Sequence, residues 1–392
     1  MPLDVIRSYE SPTRIVHGIG AIGTLGEEAA ALGMSRPLVV TDRGIAGAGI
    51  LDEAVEPLRK AGLDPVVFEE VRANPPIALV DEGAGIYRRE GCGGLVGLGG
   101  GSSIDTAKGI GVVAVHGGSI LEYEYGKQPI ERRIPPLIAV PTTAGTGSEV
   151  TLWAVITDPD RQIKFNVGGT ATIAPWVALI DPALTLNLPP EVTAGTGMDA
   201  LAHAVECYTM AYAQPVTDAV ALQAIDYVSR YLRVAYREPG NLEARYHMSL
   251  GAMLAGMSYG TESAGAAHAM SQSAGGFHDA PHGTLTGRLL GPVVEFNHEA
   301  APERFARIAR AMGKDTRHRK PLDAARVAVE EVYALTDDLR IASLQDLGFS
   351  EEETPLLARI AFEDPQTIGN PRELDVVSYQ RIYHRAFELG KR

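Results

Sequence analysis

Five short, β-branched runs, Pro37–Thr41, Pro65–Phe68, Gly94–Leu98, Leu137–Val140 and Val177–Ile180, alternate with stretches of helical spacing through the first half of the chain. That alternation leaves few folds open. Leu51–Lys60, Val80–Arg89 and Ser103–Val113 carry apolar residues at helical intervals between the early runs. Apolar strands joined by such helices make a mainly parallel sheet buried on both faces, so a layered nucleotide-binding fold is expected. After Pro189-Pro190 the texture changes. Thr193–Tyr212, Thr217–Tyr236 and Leu242–Met257 are long, rich in Ala, Leu and Met, and lack strand-like alternation. The second half therefore reads as helical, with the basic run Lys314–Lys320 as a solvated loop between helices. A chain of 392 residues exceeds what one core usually holds, and the composition shift divides it into expected domains at 1–190 and 191–392.

Context separates the glycine-rich segments. A literal GxGxxG at Gly18, Gly20 and Gly23 follows only the short run Arg14–His17 and reads as a turn before a helix, although Asp42 stands near the distance of the acidic residue that accompanies such motifs. The stronger segment is Gly97-Leu98-Gly99-Gly100-Gly101-Ser102-Ser103-Ile104-Asp105, set directly after an apolar strand and directly before a helix. Adjacent glycines let a backbone approach a pyrophosphate, and the amides and dipole of a helix N-terminus favour its charge. A further polar run, Pro141–Glu149, also follows a strand and offers the hydroxyls of Thr142, Thr143, Thr146 and Ser148. Ligands of α/β sheets sit at the carboxyl ends of strands, where both segments would emerge.

Asp199 and His203 are four apart on an expected helix, so both side chains leave one face. His268 and His282 follow, with Gly275-Gly276 between them to turn the chain, and His278 lies in the same stretch. A carboxylate with imidazoles suits Fe(II), Zn(II) or a related divalent ion. The 35 basic and 49 acidic side chains give a net charge of −14, which argues against nucleic acid and anionic membranes as partners. Cys92 and Cys207 have no metal or redox spacing and read as free thiols of a reducing compartment. Met1–Tyr9 has no apolar core of a signal peptide, and no run of about eighteen apolar residues occurs. A cytoplasmic protein that does not span a membrane is expected.

Taken together, Asn74-Pro75, the GGGSSIDTAK run Gly99–Lys108, PTTAGTGSE at Pro141–Glu149, GMDALAHAVE at Gly197–Glu206, AHAM around His268 with PHG at His282, and Asn370-Pro371-Arg372 resemble the iron-containing (group III) alcohol dehydrogenases. That family is related in fold to glycerol dehydrogenase and dehydroquinate synthase. The resemblance implies a Rossmann-like α/β N-terminal domain, an all-α C-terminal domain and a site in the cleft between them. It makes Asp199, His203, His268 and His282 the metal ligands, for Fe(II) or another divalent ion such as Zn(II). It sets Gly99, Gly100, Gly101, Ser102, Asp105, Thr142, Thr143, Thr146 and Ser148 around NAD, with Asn74 and Lys164 as further contacts. Asp42 falls where the family reads the adenosine ribose, and its carboxylate would favour NAD over NADP, with Arg43 beside it. A homodimer or larger assembly is also implied. One departure stands out: many relatives carry a second histidine four residues after the first, and here that position is Gln272, preceded by Ser271. Glutamine does not titrate near neutral pH, so His278 is the expected substitute for the proton relay, with Asp105 as the other catalytic candidate.

The implied reaction is reversible oxidation of a small primary or polyol-type alcohol to an aldehyde or ketone, with the metal as Lewis acid. A hydroxyacid–oxoacid transhydrogenase, which retains its cofactor and releases no NADH, is the main competing reading. A lyase of the dehydroquinate synthase type needs a basic substrate pocket, and Leu242–Gly291 supplies only Arg245 and Arg288. A non-catalytic NAD-binding protein would have no use for four convergent ligands.

Overall fold

The structure, a computed structural model, describes residues 6–260 and 264–390. Strands β1 (Arg14–His17), β2 (Pro37–Val40), β3 (Val66–Phe68), β4 (Gly94–Gly99), β5 (Leu137–Pro141) and β8 (Val177–Ile180) form one parallel sheet in the order β1-β8-β5-β4-β2-β3. The remaining two, β6 (Trp153–Asp158) and β7 (Ile163–Gly168), form a separate antiparallel hairpin. Helices α1 (Leu25–Ala31), α2 (Arg43–Gly47), α3 (Ile50–Lys60), α4 (Ile77–Arg89) and α5 (Gly101–His116) accompany the sheet.

Side chains on successive strand residues go to opposite faces, and both faces are covered. Leu38, Val40, Leu95 and Leu137 pack with Leu79, Val80, Ala107 and Ile110 of α4 and α5. Val39, Val96 and Ile138 pack on the other side with Leu25, Ala29, Ala54 and Leu58 of α1 and α3. This double burial is why the strands read as continuous apolar runs.

Strand order also fixes where a ligand can enter. The chain passes from β2 outward to β3, then crosses back over β2 to β4, so the carboxyl ends of β2 and β4 flank a crevice where the direction of winding reverses. Asp42 follows β2, and the triple glycine follows β4. Gly99 has φ +145°, and a Cβ there would lie 2.5 Å from Ser103 Oγ. The tight entry into α5 therefore requires glycine.

The C-terminal half is helical: α6 (Pro190–Thr209), α7 (Pro215–Arg237), α8 (Leu242–Tyr259), α9 (Ala266–Phe277), α10 (His282–Asn297), α11 (Pro302–Ala311), α12 (Pro321–Asp338), α13 (Thr354–Glu363) and α14 (Val376–Leu389). Helix α6 is buried along nearly its whole length, with Met198, Leu201 and Val205 in the helical core. A helix apolar all round is a central core helix. Asp199, His203 and Glu206, at 1%, 6% and 5% exposure, are the buried acidic and imidazole side chains that break this pattern, beside the hydroxyls of Thr193 and Thr209. The two halves meet closely where Gly147, φ +62°, faces Gly256 of α8; a Cβ on Gly147 would be 2.6 Å from Gly256 Cα. Among the described residues no helix is long and apolar enough to cross a membrane.

The early glycine motif ends up at the sheet margin. Gly18 directly follows β1, an edge strand, and Ile22 N–H donates to Asp181 at 3.1 Å as the chain turns into α1. None of Gly18, Gly20 and Gly23 borders the central cleft.

Candidate metal and nucleotide cleft

A cleft with a cavity volume of about 370 Å³ runs from the α5 N-terminus to the face of α6. The sheet half contributes Asn74, Gly100, Gly101, Ser102, Asp105, Thr143, Thr146, Ser148 and Lys164, and the helical half contributes Asp199, His203, His268 and His282. All four expected metal ligands and most of the expected cofactor residues thus border one continuous space.

At its deep end one atom from each of Asp199, His268 and His282 lies within 4.8 Å of the others. Asp199 Oδ1 is 3.6 Å from His268 Nε2 and 3.6 Å from His282 Nε2. Ligand atoms about 2.1 Å from one tetrahedral ion are about 3.4 Å apart, so the spacing fits. Asp199 Oδ1 and His268 Nε2 are buried and have no hydrogen-bond partner. Bare buried polar atoms are costly, and a cation between them removes that cost. His203 borders the same space, with its ring centroid 4.1 Å from that of His268; its Nδ1 pairs with the Asp199 carbonyl at 3.0 Å, which leaves Nε2 as its other donor atom.

The far sides of two imidazoles are held. His268 Nδ1 pairs with Glu206 Oε2 at 2.5 Å, and His282 Nδ1 with Ser271 Oγ at 2.9 Å. Burial pushes the His203 and His282 imidazoles down to about 3; His268 adds to both shifts and Asp199 opposes them. Burial alone would lower His268 too, but the negative charge of Asp199 and the hydrogen-bonded carboxylate of Glu206 carry it up to about 9. Burial raises the Asp199 carboxyl, and the surrounding histidines outweigh that and hold it well below the usual carboxylate range. An ion replaces the proton in such a site.

On the nucleotide side, the N-terminal turn of α5 opens into the cleft through Gly101 and Ser102. Asp42 caps α2, its Oδ1 accepting from Gly44 and Ile45 amides at 2.8 and 3.0 Å; its Oδ2 would be 3.6 Å from a Cβ on Gly99. It therefore stands beside the glycine turn with an oxygen to spare. Asp105 accepts from Ser148 Oγ at 2.5 Å and from Val155 N–H at 3.0 Å, so it ties the hydroxyl-rich loop and the hairpin to α5. Thr142 is buried beneath that loop, and Thr142, Gly99 and Asp42 do not themselves border the cleft. Asn74 Nδ2 donates to Asp279 Oδ1 at 2.6 Å, which links the halves at the cleft. Lys164, on β7, has its ammonium pushed down to about 8 by burial, against the pull of Asp279 and Asp199.

Comparison with known proteins agrees with this geometry. Residues 12–182 match the model of the iron-containing alcohol dehydrogenases, and 193–387 match that of the Fe-containing alcohol dehydrogenase family, C-terminal. The chain belongs to the iron-containing alcohol dehydrogenase family. It is similar to a choline dehydrogenase of Bacillus subtilis (strain 168), 54% identical over 97% of this chain and 95% of that one. It is also similar to an NAD-dependent methanol dehydrogenase of Bacillus methanolicus, 38% identical over 96% and 98% of the two chains. A crystal structure of a 1,3-propanediol oxidoreductase superposes with a TM-score of 0.94 at 39% identity, covering 98% of this chain and all of that one.

Within this iron-containing alcohol dehydrogenase, His278 is not brought to the cleft. It follows the last residue of α9 in extended conformation, stacks edge-on against Phe277 and Phe349, and pairs with Glu353 at 2.9 Å. Gln272 does border the cleft, with its Nε2 donating to Asp364 Oδ2 at 2.9 Å. Burial pushes the Asp364 carboxyl up to about 6, against its hydrogen bonds from Gln366 and Gln272. Tyr259 and Gln366, joined at 3.0 Å, complete the wall beside the metal residues. Sequence reasoning assigned no role to Tyr259, Gln366, Glu206 or Lys108. Glu206 had a legible signal, since it lies seven residues after Asp199 on a buried helix; Lys108 had one as the charged residue within the otherwise apolar and small-residue stretch 106–115 of α5.

Proposed function

We propose that this oxidoreductase uses NAD and a divalent metal, iron first among the candidates, to interconvert a small alcohol and its aldehyde or ketone. The observation that carries the reading is the bare Asp199, His268 and His282 group facing the same cleft as the α5 N-terminus. Asp199, His203, His268 and His282 would hold the metal. When bound, the metal would supply Lewis acidity toward the alcohol oxygen and the nicotinamide would supply a hydride acceptor. The chain's residues do the placing. Amides at Gly100, Gly101 and Ser102 receive the pyrophosphate, with Thr143, Thr146 and Ser148 alongside. Asp42 receives the ribose hydroxyls and repels a 2′-phosphate, which favours NAD. Asn74 and Lys164 border the cofactor path, and Asp105 positions the loop that carries Ser148.

Gln272, fixed by Asp364, can orient a substrate but cannot take its proton. The hydroxyl proton therefore leaves through water or the cofactor ribose. The relative at 54% identity is named for choline, so a quaternary-ammonium alcohol is the first substrate to try. The Tyr259 ring at the cleft, with the Asp364 carboxylate behind Gln272, supports a cationic head group. We further propose a division near residue 190, a cytoplasmic setting consistent with two unpaired buried cysteines, and a homodimer or larger assembly.

The test is NADH formation by metal-loaded protein with choline, short alcohols and diols. Metal-dependent NADH accumulation supports the reading. Bound NAD that cycles between an alcohol and an oxoacid without free NADH would replace it with transhydrogenation.

A further inference from the structure

The cleft explains three imidazoles and a carboxylate, but not the second buried carboxylate of α6. Asp199, His203 and Glu206 occur at intervals of four and three, so all lie on one helix face. Glu206 is 5% exposed and does not border the cleft. Both of its oxygens are used on α9: Oε2 pairs with His268 Nδ1 at 2.5 Å, and Oε1 accepts the Ala267 N–H at 2.6 Å. Ala267 lies in the first turn of α9, where backbone N–H groups lack helical partners. The chain makes room for this carboxylate, since a Cβ on Gly265 would fall 2.7 Å from Glu206 Oε1. A proton held on Nδ1 by a carboxylate leaves the Nε2 lone pair free, and His268 Nε2 is the atom facing Asp199 Oδ1 at 3.6 Å.

His282 has a neutral counterpart. Its Nδ1 is 2.9 Å from Ser271 Oγ, which is also 3.2 Å from the His282 carbonyl and accepts from Thr286 Oγ1 at 2.9 Å. A consistent arrangement has His282 Nδ1–H donating to Ser271 and the Ser271 hydroxyl donating to the His282 carbonyl. The serine orients the ring without adding charge, whereas Glu206 orients its ring and also raises its donor strength.

We infer that Glu206 is a positioning residue that sets metal affinity through His268, and that Ser271 does the same more weakly through His282. This rests on the reading of His268 and His282 as ligands. The experiment strips the full-length protein with a chelator and reloads it with Zn(II) or Co(II). Affinity is read by competition with a chromophoric chelator, and the Co(II) visible spectrum is recorded. Glu206→Gln should weaken Zn(II) binding about 10- to 100-fold and alter the Co(II) spectrum, and Ser271→Ala should weaken it less than about 10-fold. Gly265→Ala keeps the carboxylate but presses on it, and should weaken binding even if Glu206→Gln does not fold. A merely structural stitch between α6 and α9 would lower the Tm of the metal-free protein and leave affinity unchanged. Wild-type affinity in Glu206→Gln, or in Gly265→Ala where that is the variant that folds, overturns the inference. His268→Ala separates the levels: if it binds metal as wild type does, the ligand assignment fails, whereas its loss of metal beside an unaffected Glu206→Gln removes only the role of Glu206.

Discussion

Replacing Lys108 by methionine tests how the cofactor loop is held. Its side chain is wholly buried, and Nζ donates to Trp153 O at 2.6 Å, Ser148 Oγ at 3.0 Å, Thr151 O at 3.1 Å and Thr151 Oγ1 at 3.2 Å. Asp105 Oδ1 lies 3.9 Å away. Methionine preserves the stem and strips the charge. Each buried acceptor left bare costs about 1–3 kcal/mol, and removing one partner of a buried charge pair costs about 3–5 kcal/mol. These overlap, so Lys108→Met should lose about 3–5 kcal/mol in urea unfolding, a large part of a typical stability of about 5–15 kcal/mol. Ser148 and Asp105 border the cleft, so the KM for NAD should rise about tenfold, equivalent to about 1.4 kcal/mol. The pH dependence has a definite sign. Burial pushes the folded-state lysine down to about 8, below its ordinary value of 10.5. Between these values the unfolded chain binds more protons, so the wild type gains stability as pH rises through that window and the methionine variant does not. The gap between them should widen from pH 8 to 10.5. Unfolding within about 1 kcal/mol of wild type, with unchanged KM for NAD, would refute the reasoning.

Gly99→Ala places a Cβ 2.5 Å from Ser103 Oγ at φ +145°; it should raise the KM for NAD at least about tenfold in a folded protein, measured by steady-state kinetics with circular dichroism as control. Asp42→Ser keeps a cap for α2 but removes the carboxylate, so the ratio of kcat/KM for NADP over NAD should rise about tenfold or more. Gln272→His should introduce a step near pH ~6.5 into a kcat/KM profile that lacks one from this position; identical profiles would place the proton path elsewhere. His278 pairs with Glu353 outside the cleft, so His278→Ala should keep kcat within about twofold and cost no more than about 1 kcal/mol, while a large loss of kcat would restore it as a relay.

The parts of this fold that could be read from sequence are those where one residue pattern has one physical cause. Strands β2, β4, β5 and β8 are buried on both faces and so appear as unbroken apolar runs, and the triple glycine lies where strand order reverses. The hairpin β6–β7 was not placed by the sequence, because its residues alternate between buried and half-buried and include Lys164 and Asn166. Strand β1 was also missed; it is a short edge strand with a charged first residue. Asp199 and His203 were legible as a pair through helical spacing. The pairing of Glu206 with His268 was not, since it spans 62 positions of sequence. His278 misled for the opposite reason. Proximity in sequence to His282 does not place it in space, because α9 ends just before it and the chain turns its ring toward Glu353.

The most direct test of the account is metal analysis and NADH formation on one anaerobically purified sample, alongside Asp199→Ala and His268→Ala. About one divalent ion per wild-type chain is expected, with little in either variant, and NADH formation from an alcohol that disappears with a chelator and returns with added Fe(II) or Zn(II). Full metal content in both variants, or alcohol-dependent NADH formation unaffected by complete metal removal, would contradict it.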